Sequence, residues 1–496
     1  MDGYAWSPQS QRRVVIWLFV LVFGSYSYFV NGIGNPNSTT RLALTLALIE
    51  KGELNIDDLA AQTMDKAQAG NHYYLDKAPG MSFLAIPVVY VVLPAVKLLG
   101  RPTMWFEGHS PTIQFALLQY LVEIFTAALP TSLAVIALYL SALRIGASPG
   151  GALFAALGFG LGTPAWGWAT TFLSHATSAA VQFLALAVII HLDAGDDKGR
   201  VAPRRAIPMA LAVGALLGWS VVTEFAAAPS AAMIALYGMV RLGRSLPPRQ
   251  TVQLIFTAVA AGLTAVAPLL VYDTLAFGSP FSLGYSHVVG FEGMQDGFHG
   301  IHLPNWRVAF AILFGQHRGL LWICPILLLT PWALYRLFQR KDQWQLAALI
   351  MGIAAYYVLL NSGYYYWDGG WSTGPRHVTP ILPFLCLPLS LLWPGAPRTT
   401  HLVLAGLLGL SIGLSLICAS VGMFAGPAPR LLLDYLLPMF MRGNWGGILL
   451  FQLHLLPPPL TLLPLFLMWA ALALLWRGWL QRPVHDGLDH HVRVRR

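Results

Sequence analysis

The sequence predicts an all-α, polytopic membrane protein, and three observations lead there. Of 496 residues, 56% are hydrophobic and only 10% are charged, where soluble domains carry about a quarter charged. Mean hydropathy is +0.61. Apolar runs long enough to cross about 30 Å of hydrocarbon recur along the whole chain. Within lipid only a helix, or a closed barrel, keeps every backbone N–H and C=O paired.

The runs fall near 14–31, 81–99, 112–143, 152–168, 173–192, 207–240, 252–272, 319–337, 344–361, 378–393, 401–421 and 456–476. Two of them, 112–143 and 207–240, are too long for one crossing. Pro130 offers a break in the first and Thr223-Glu224 in the second, and splitting both gives fourteen crossings. If 81–99 only dips into the membrane and 112–143 crosses once, the count is twelve. The sequence thus predicts 12–14 transmembrane helices in one integral membrane domain, residues 1–480, with 481–496 as a basic cytoplasmic tail. The first run starts at Val14, after Arg12-Arg13, and no small-residue cleavage site follows it, so it reads as a retained helix. Cys324, Cys386 and Cys418 all lie inside apolar runs and form no disulfide framework.

The net charge of +9 does not point to a nucleic-acid partner. Basic residues gather at particular helix ends, as the positive-inside rule requires. That rule predicts cytoplasmic termini and puts Lys97, Arg101, Arg144 and Arg340 on the cytoplasmic side. Four polar stretches, 32–80, 273–318, 361–377 and 423–455, then share the outer face. The cytoplasmic links carry no Gly-rich phosphate loop after a strand, so any chemistry is expected outside and without nucleotide.

The first outer loop is the most unusual stretch. Ser38–Glu50 has capping residues at its start, good helix formers within and Gly52 at its stop. It is too short to cross and too apolar to float, so it is expected to lie at the membrane interface with the rest of 32–80 folded as short helices. The triplet Asp-Lys-Ala occurs twice, at Asp65-Lys66-Ala67 and at Asp76-Lys77-Ala78. The second copy is fixed by Pro79 at the mouth of the next apolar run.

This loop, ending in Tyr73-Tyr74-Leu75-Asp76-Lys77-Ala78-Pro79, resembles the first outer loop of the GT-C superfamily of membrane glycosyltransferases, in the protein-mannosyltransferase and lipid A aminoarabinose-transferase branch. Later segments fit the same pattern: Leu217–Glu224, Phe277–Phe281, Gln316–Leu320 and the glycine- and tryptophan-rich Gly369–His377. The resemblance runs from about residue 14 to 395. One departure stands out. Members of that branch carry an Asp just after the first helix, a few residues before an Arg, whereas this chain reads Asn35-Pro36-Asn37-Ser38-Thr39-Thr40-Arg41.

The resemblance implies transfer of a sugar from a polyprenyl-phosphate donor to a lipid, glycan or protein acceptor, by inverting single displacement. It also implies the inner membrane of a bacterium, with the site on the periplasmic face. A carboxylate must take the proton of the attacking hydroxyl, and cations must neutralise the departing phosphate. Asp65 and Asp76, ahead of Asp57 and Asp58, are the candidate bases. Lys77, Lys66, Arg376, His377, Arg318 and His175 are candidate phosphate ligands, with 361–377 as the phosphate-binding loop. Tyr74, Tyr366, Trp371, Asp368 and Glu224 are candidates for sugar or acceptor. No cofactor is required; a divalent metal is compatible but not indicated. Membrane lipids are the other expected partner.

Plainer readings stand beside these. Asp65-Lys66 fits a solvated surface pair, and Arg376-His377 could anchor a helix end by reaching headgroups. Tyr364–Trp367 and Trp371 fit interfacial aromatic anchors. A transporter would show internal repeats and midplane charges, which are not evident. A lipid-linked glycan polymerase or ligase of another fold would place its main outer loop late in the chain, not after the first helix.

Overall fold

The computed structural model describes residues 8–100, 112–193, 203–453 and 455–481; Arg101 and most of the basic tail lie outside them. The architecture is all-α. Eight described helices are long and apolar enough to cross a membrane, and four shorter apolar helices accompany them. This is an integral membrane protein.

Helix α1 spans Pro8–Ser27. Helix α2, Pro36–Glu50, begins two residues before the expected start because Asn35 caps it, accepting from the Asn37 amide, and Pro36 opens the first turn. The rest of the first loop is not all helical. After a 3₁₀ turn at Asp57–Gln62 comes a small hairpin, β1 (Ala67–Ala69) against β2 (His72–Tyr74). Gly70, with φ 60°, stands at the first turn position, where tight hairpins favour glycine.

The contacts of helix α3, Gly80–Leu98, bring both its ends to one face, so Lys97 does not stand opposite the 32–80 loop as the charge rule expects. Lys97 pairs with Glu50 at the end of α2. The Leu99 carbonyl accepts from Gln114 near the start of α4, Ile113–Arg144. One and a half turns further along α4, Gln119 donates to the Gly32 carbonyl at 3.0 Å and Tyr120 to that of Ser27 at 2.6 Å, at the far end of α1. Both ends of α3 therefore lie on the face of the 32–80 loop. The expected break of 112–143 is also absent. A π turn over Ile124–Ala128 absorbs the amide missing at Pro130, and the helix runs on as one crossing. Of the two crossing counts, the contacts favour twelve.

The remaining helices are α5 (Pro149–Gly160), α6 (Ser174–Asp193), α7 (Pro203–Thr223), α8 (Ala227–Ser245), α9 (Pro248–Phe277), α10 (Trp306–Phe314), α11 (Thr330–Phe338) and α12 (Trp344–Gly363). They are followed by α13 (Arg376–Leu392, partly 3₁₀), α14 (Arg398–Val421), α15 (Leu431–Met441) and α16 (Leu463–Gln481). The run 207–240 does split where expected, between Thr223 and Ala227. Helices α7 and α9 pack with backbones touching: a Cβ on Gly214 would lie 1.9 Å from the Ala258 carbonyl oxygen, and one on Gly218 2.4 Å from that of Gly262. Small residues permit this approach in membrane helices.

Four loops meet on one face. Lys66 and Ala67 pair with Val289 and Val288. Ile301 pairs with Tyr364, Thr373 with Met423, and Phe29 with Ile448. On the opposite face Arg340 donates to the Ile145 carbonyl at 2.6 Å and Arg241 to that of Asp342 at 2.9 Å.

Candidate active site

Beneath the joined loops lies a cavity of about 820 Å³. The ends of α3, α6, α7 and α13 deliver most of its titratable side chains, because polar residues at helix mouths can stay wet while the helices behind them are buried in lipid or protein. Asp65, Asp76, Lys77, His175, Glu224, Tyr366, Trp371, Arg376 and His377 all line it. Lys77 and Arg376, about 300 residues apart, thus face one space.

The Lys77 ammonium is shared by two carboxylates, at 3.1 Å from Asp65 Oδ2 and 2.6 Å from Asp76 Oδ2. Burial pulls this ammonium down, but Asp65 and Asp76 outweigh it and hold its pKa above the ordinary lysine value. Burial pushes the Asp76 carboxyl above the usual carboxylate range, against the pull of Lys77 and Arg41. Its Oδ1 is buried without a hydrogen-bond partner.

Elsewhere in the lining His175 Nδ1 lies 3.0 Å from Glu224 Oε1. The His175 ring stands edge-on to that of His377, centroids 5.4 Å apart. His377 Nδ1 meets Asn361 Oδ1 at 3.1 Å. Arg376 uses Nε towards His377 at 3.5 Å, and its two Nη groups make no protein hydrogen bond among the described residues. Trp371 is 65% exposed at the rim.

The other candidates sit elsewhere. Asp57 binds His72 at 2.6 Å and the Tyr73 amide at 2.7 Å on the hairpin, and Asp58 pairs with Lys51. Neither lines the cavity, so neither is placed to act as a base there. Lys66 donates to the Ala60 carbonyl and covers the Tyr73 ring, so it is not among the cavity's cations. Tyr74 packs edge-on against Phe277. Asp368 accepts from the Gly370 amide at 3.0 Å and is outside the lining.

Arg318 is likewise not a phosphate ligand. Its guanidinium is buried and grips the carbonyls of Ser372, Gly370 at 2.6 Å, Ala425 at 3.3 Å and Gly426 at 3.4 Å. Burial lowers its pKa to about 10. It ties the loop before Arg376 to the loop after α14.

Residues that the sequence did not single out complete the lining. Arg41 is buried and donates to Asn37 Oδ1 at 2.8 Å and to the Ala78 carbonyl at 3.1 Å. The side-chain oxygen of Asn37 thus holds the arginine in place. Burial lowers the Arg41 pKa while Asp76, Glu224 and Asp65 oppose that shift. Tyr285, Tyr356, Tyr357 and Tyr364 add aromatic walls. Among the described residues no three His, Cys, Asp or Glu side chains gather closely enough to hold a metal ion.

No protein-family model and no curated protein matches the sequence. Solved structures do match in fold. ArnT from Cupriavidus metallidurans bound to undecaprenyl phosphate superposes with TM-score 0.50 and 14% identity, over 81% of this chain and 63% of that one. The archaeal oligosaccharyltransferase AglB from Archaeoglobus fulgidus, in complex with an inhibitory peptide and a dolichol-phosphate, gives 0.46 and 11% over 84% and 57%. The chain spans less than two thirds of the length of either structure. Its helices and joined loops have the GT-C fold that its sequence motifs resemble.

Proposed function

We propose that this protein is a membrane glycosyltransferase that takes a sugar from a polyprenyl phosphate and passes it to a lipid, glycan or protein acceptor. The observation that carries the reading is the single cavity in which Lys77 and Arg376 face the same space as Asp65, Asp76 and Glu224. The likeness in fold to a structure holding undecaprenyl phosphate supports it. In this reading Lys77, as a point charge, and the free Nη groups of Arg376, as a fork, grip the donor phosphate. They stabilise the charge that grows as the phosphate leaves, in a site partly closed to water. Tyr366 and Trp371 offer flat apolar faces to the sugar ring. A carboxylate of the cavity takes the acceptor proton, and one displacement inverts the anomeric centre. The loop face is then the periplasmic side of a bacterial inner membrane.

The test uses purified protein in lipid vesicles. Binding of undecaprenyl phosphate is measured first, then sugar release from undecaprenyl-phosphate glucose, mannose and aminoarabinose. Lys77→Met and Arg376→Met should each weaken lipid-phosphate binding by about 10–100-fold, the worth of one charge-assisted contact. Asp57→Asn and Asp58→Asn should stay within about threefold of wild type, as exposed ion pairs contribute little. A wild-type protein that neither binds undecaprenyl phosphate nor releases any sugar would end this reading.

A further inference from the structure

We infer that the general base of the transfer is Glu224, held in place by His175, and not an aspartate of the first loop. The inference rests on the reading above and assigns its proton acceptor. Among the described residues, two carboxylates lining the cavity have an oxygen buried without a hydrogen-bond partner, Asp76 Oδ1 and Glu224 Oε2. Their surroundings differ. The other oxygen of Asp76 is 2.6 Å from the Lys77 ammonium, which Asp65 also contacts. That trio belongs with the cation that meets the phosphate. In a single displacement the hydroxyl attacks the anomeric carbon from the side opposite the leaving phosphate, so the base is a carboxylate not already engaged by a phosphate ligand.

Among the described residues Glu224 has no lysine or arginine ion pair. It stands in the break between α7 and α8, and its ion-pair contact is the imidazole of His175 at the start of α6. The break is built to hold it. The Glu224 amide bonds the Ser220 carbonyl, its own carbonyl accepts from Ala227, and Tyr356 Oη pins the Ala226 carbonyl at 2.8 Å. Gly80, three residues after Lys77, seats directly on the Val222-Thr223 backbone. The spacing between the phosphate side and the base side is therefore fixed by backbone contact.

In the step, the acceptor O–H gives its proton to Glu224 Oε2 while its oxygen bonds to the anomeric carbon. The bond from that carbon to the phosphate oxygen breaks, and its electron pair leaves with the polyprenyl phosphate. His175, donating through Nδ1 to Oε1, leaves Oε2 as the unpaired oxygen that takes the proton; it is a positioning residue.

The test compares Glu224→Gln, His175→Ala, His175→Asn and Asp76→Asn in vesicles, with undecaprenyl phosphate binding and sugar release from the best of the three donors read in parallel. Glu224→Gln should lose about 10²–10⁴-fold in kcat with lipid binding within twofold of wild type. Azide needs no deprotonation, so it should restore sugar transfer to Glu224→Gln as the glycosyl azide. His175→Ala should lower kcat at unchanged KM, and His175→Asn, which keeps a donor at the Nδ1 position, should recover most of it. Asp76→Asn should weaken lipid binding. If Glu224→Gln turned over within fivefold of wild type while Asp76→Asn or Asp65→Asn bound lipid but did not turn over, the base would be in the first loop. The glycosyltransferase reading would survive that result; absence of binding and turnover in wild type would remove both.

Discussion

Gly80→Ala should move Lys77 relative to Glu224. A Cβ at this position would lie 2.5 Å from the Val222 carbonyl oxygen, 2.6 Å from its carbon and 2.7 Å from Thr223 Cα. All three are backbone atoms of α7 one or two residues before Glu224, so none can rotate away. Ordinary contact begins at 3.4 Å, and relief needs a shift of about 0.9 Å between the start of α3 and the end of α7. Lys77 and Asp76 precede Gly80 on a short link, so they move with it. A misplacement of about 1 Å at a reacting centre costs about 100-fold in rate, and the overpacking itself costs about 1–3 kcal/mol. The assay is sugar release in vesicles beside a thermal melt, with Gly406→Ala as control, because a Cβ there meets nothing within 4 Å. A Gly80→Ala protein that kept wild-type kcat would refute the claim that this contact sets the spacing.

Three further outcomes are expected. Asp65 and Asp76 hold the Lys77 pKa above its ordinary value, so its charge contributes fully below that ordinary value and is lost as pH rises through the elevated one. Undecaprenyl phosphate binding should therefore be flat from neutral pH to about pH 10, and Asp65→Asn should move its alkaline fall to lower pH. Cysteines at Lys97 and Glu50 should react with an impermeant thiol reagent from the same side of a sealed vesicle, and a cysteine at Arg340 from the other; labelling of positions 97 and 340 from one side would overturn the path given to α3. Arg318→Met leaves four carbonyls without their donor and should cost about 2–4 kcal/mol, seen as a lower Tm together with weaker lipid binding; an unchanged Tm would show that the loop is held by other contacts.

The sequence was most informative where a charge interrupts apolar surroundings. Glu224 in a long apolar run marked the break between α7 and α8, and Lys77 and Arg376 beside prolines marked two helix mouths. It was least informative where tertiary contacts decide. Gly80–Leu98 is as apolar as a crossing helix, with hydropathy 2.0, and only its packing against α2 and the start of α4 keeps both its ends on one face. Pro130 suggested a hairpin, yet one π turn removes the conflict. Arg318 and Arg376 look alike in sequence, each beside a histidine and glycines; one turns inward to carbonyls and the other faces the cavity. Tyr285, Tyr356 and Tyr357 carry no local signal, because their place in the lining arises only when the loops and helices assemble.

The backbone seam between α7 and α9 has a consequence for where the protein can work. Helix α9 has 30 residues and is about 45 Å long at 1.5 Å per residue, against a hydrocarbon layer of about 30 Å. Only 11% of its most apolar stretch is buried in the protein, so α9 is long enough to span with some tilt, and its packing against α7 sets that tilt. At Gly214 and Gly218 no side chain cushions α7 from that tilt. A change of tilt in α9 is expected to reach the end of α7 at Thr223, five residues past Gly218. Turnover in vesicles of short and long acyl chains should then differ with α9 intact, and equal rates would show that the seam slips. A difference would make the host membrane, through this contact, a regulator of turnover.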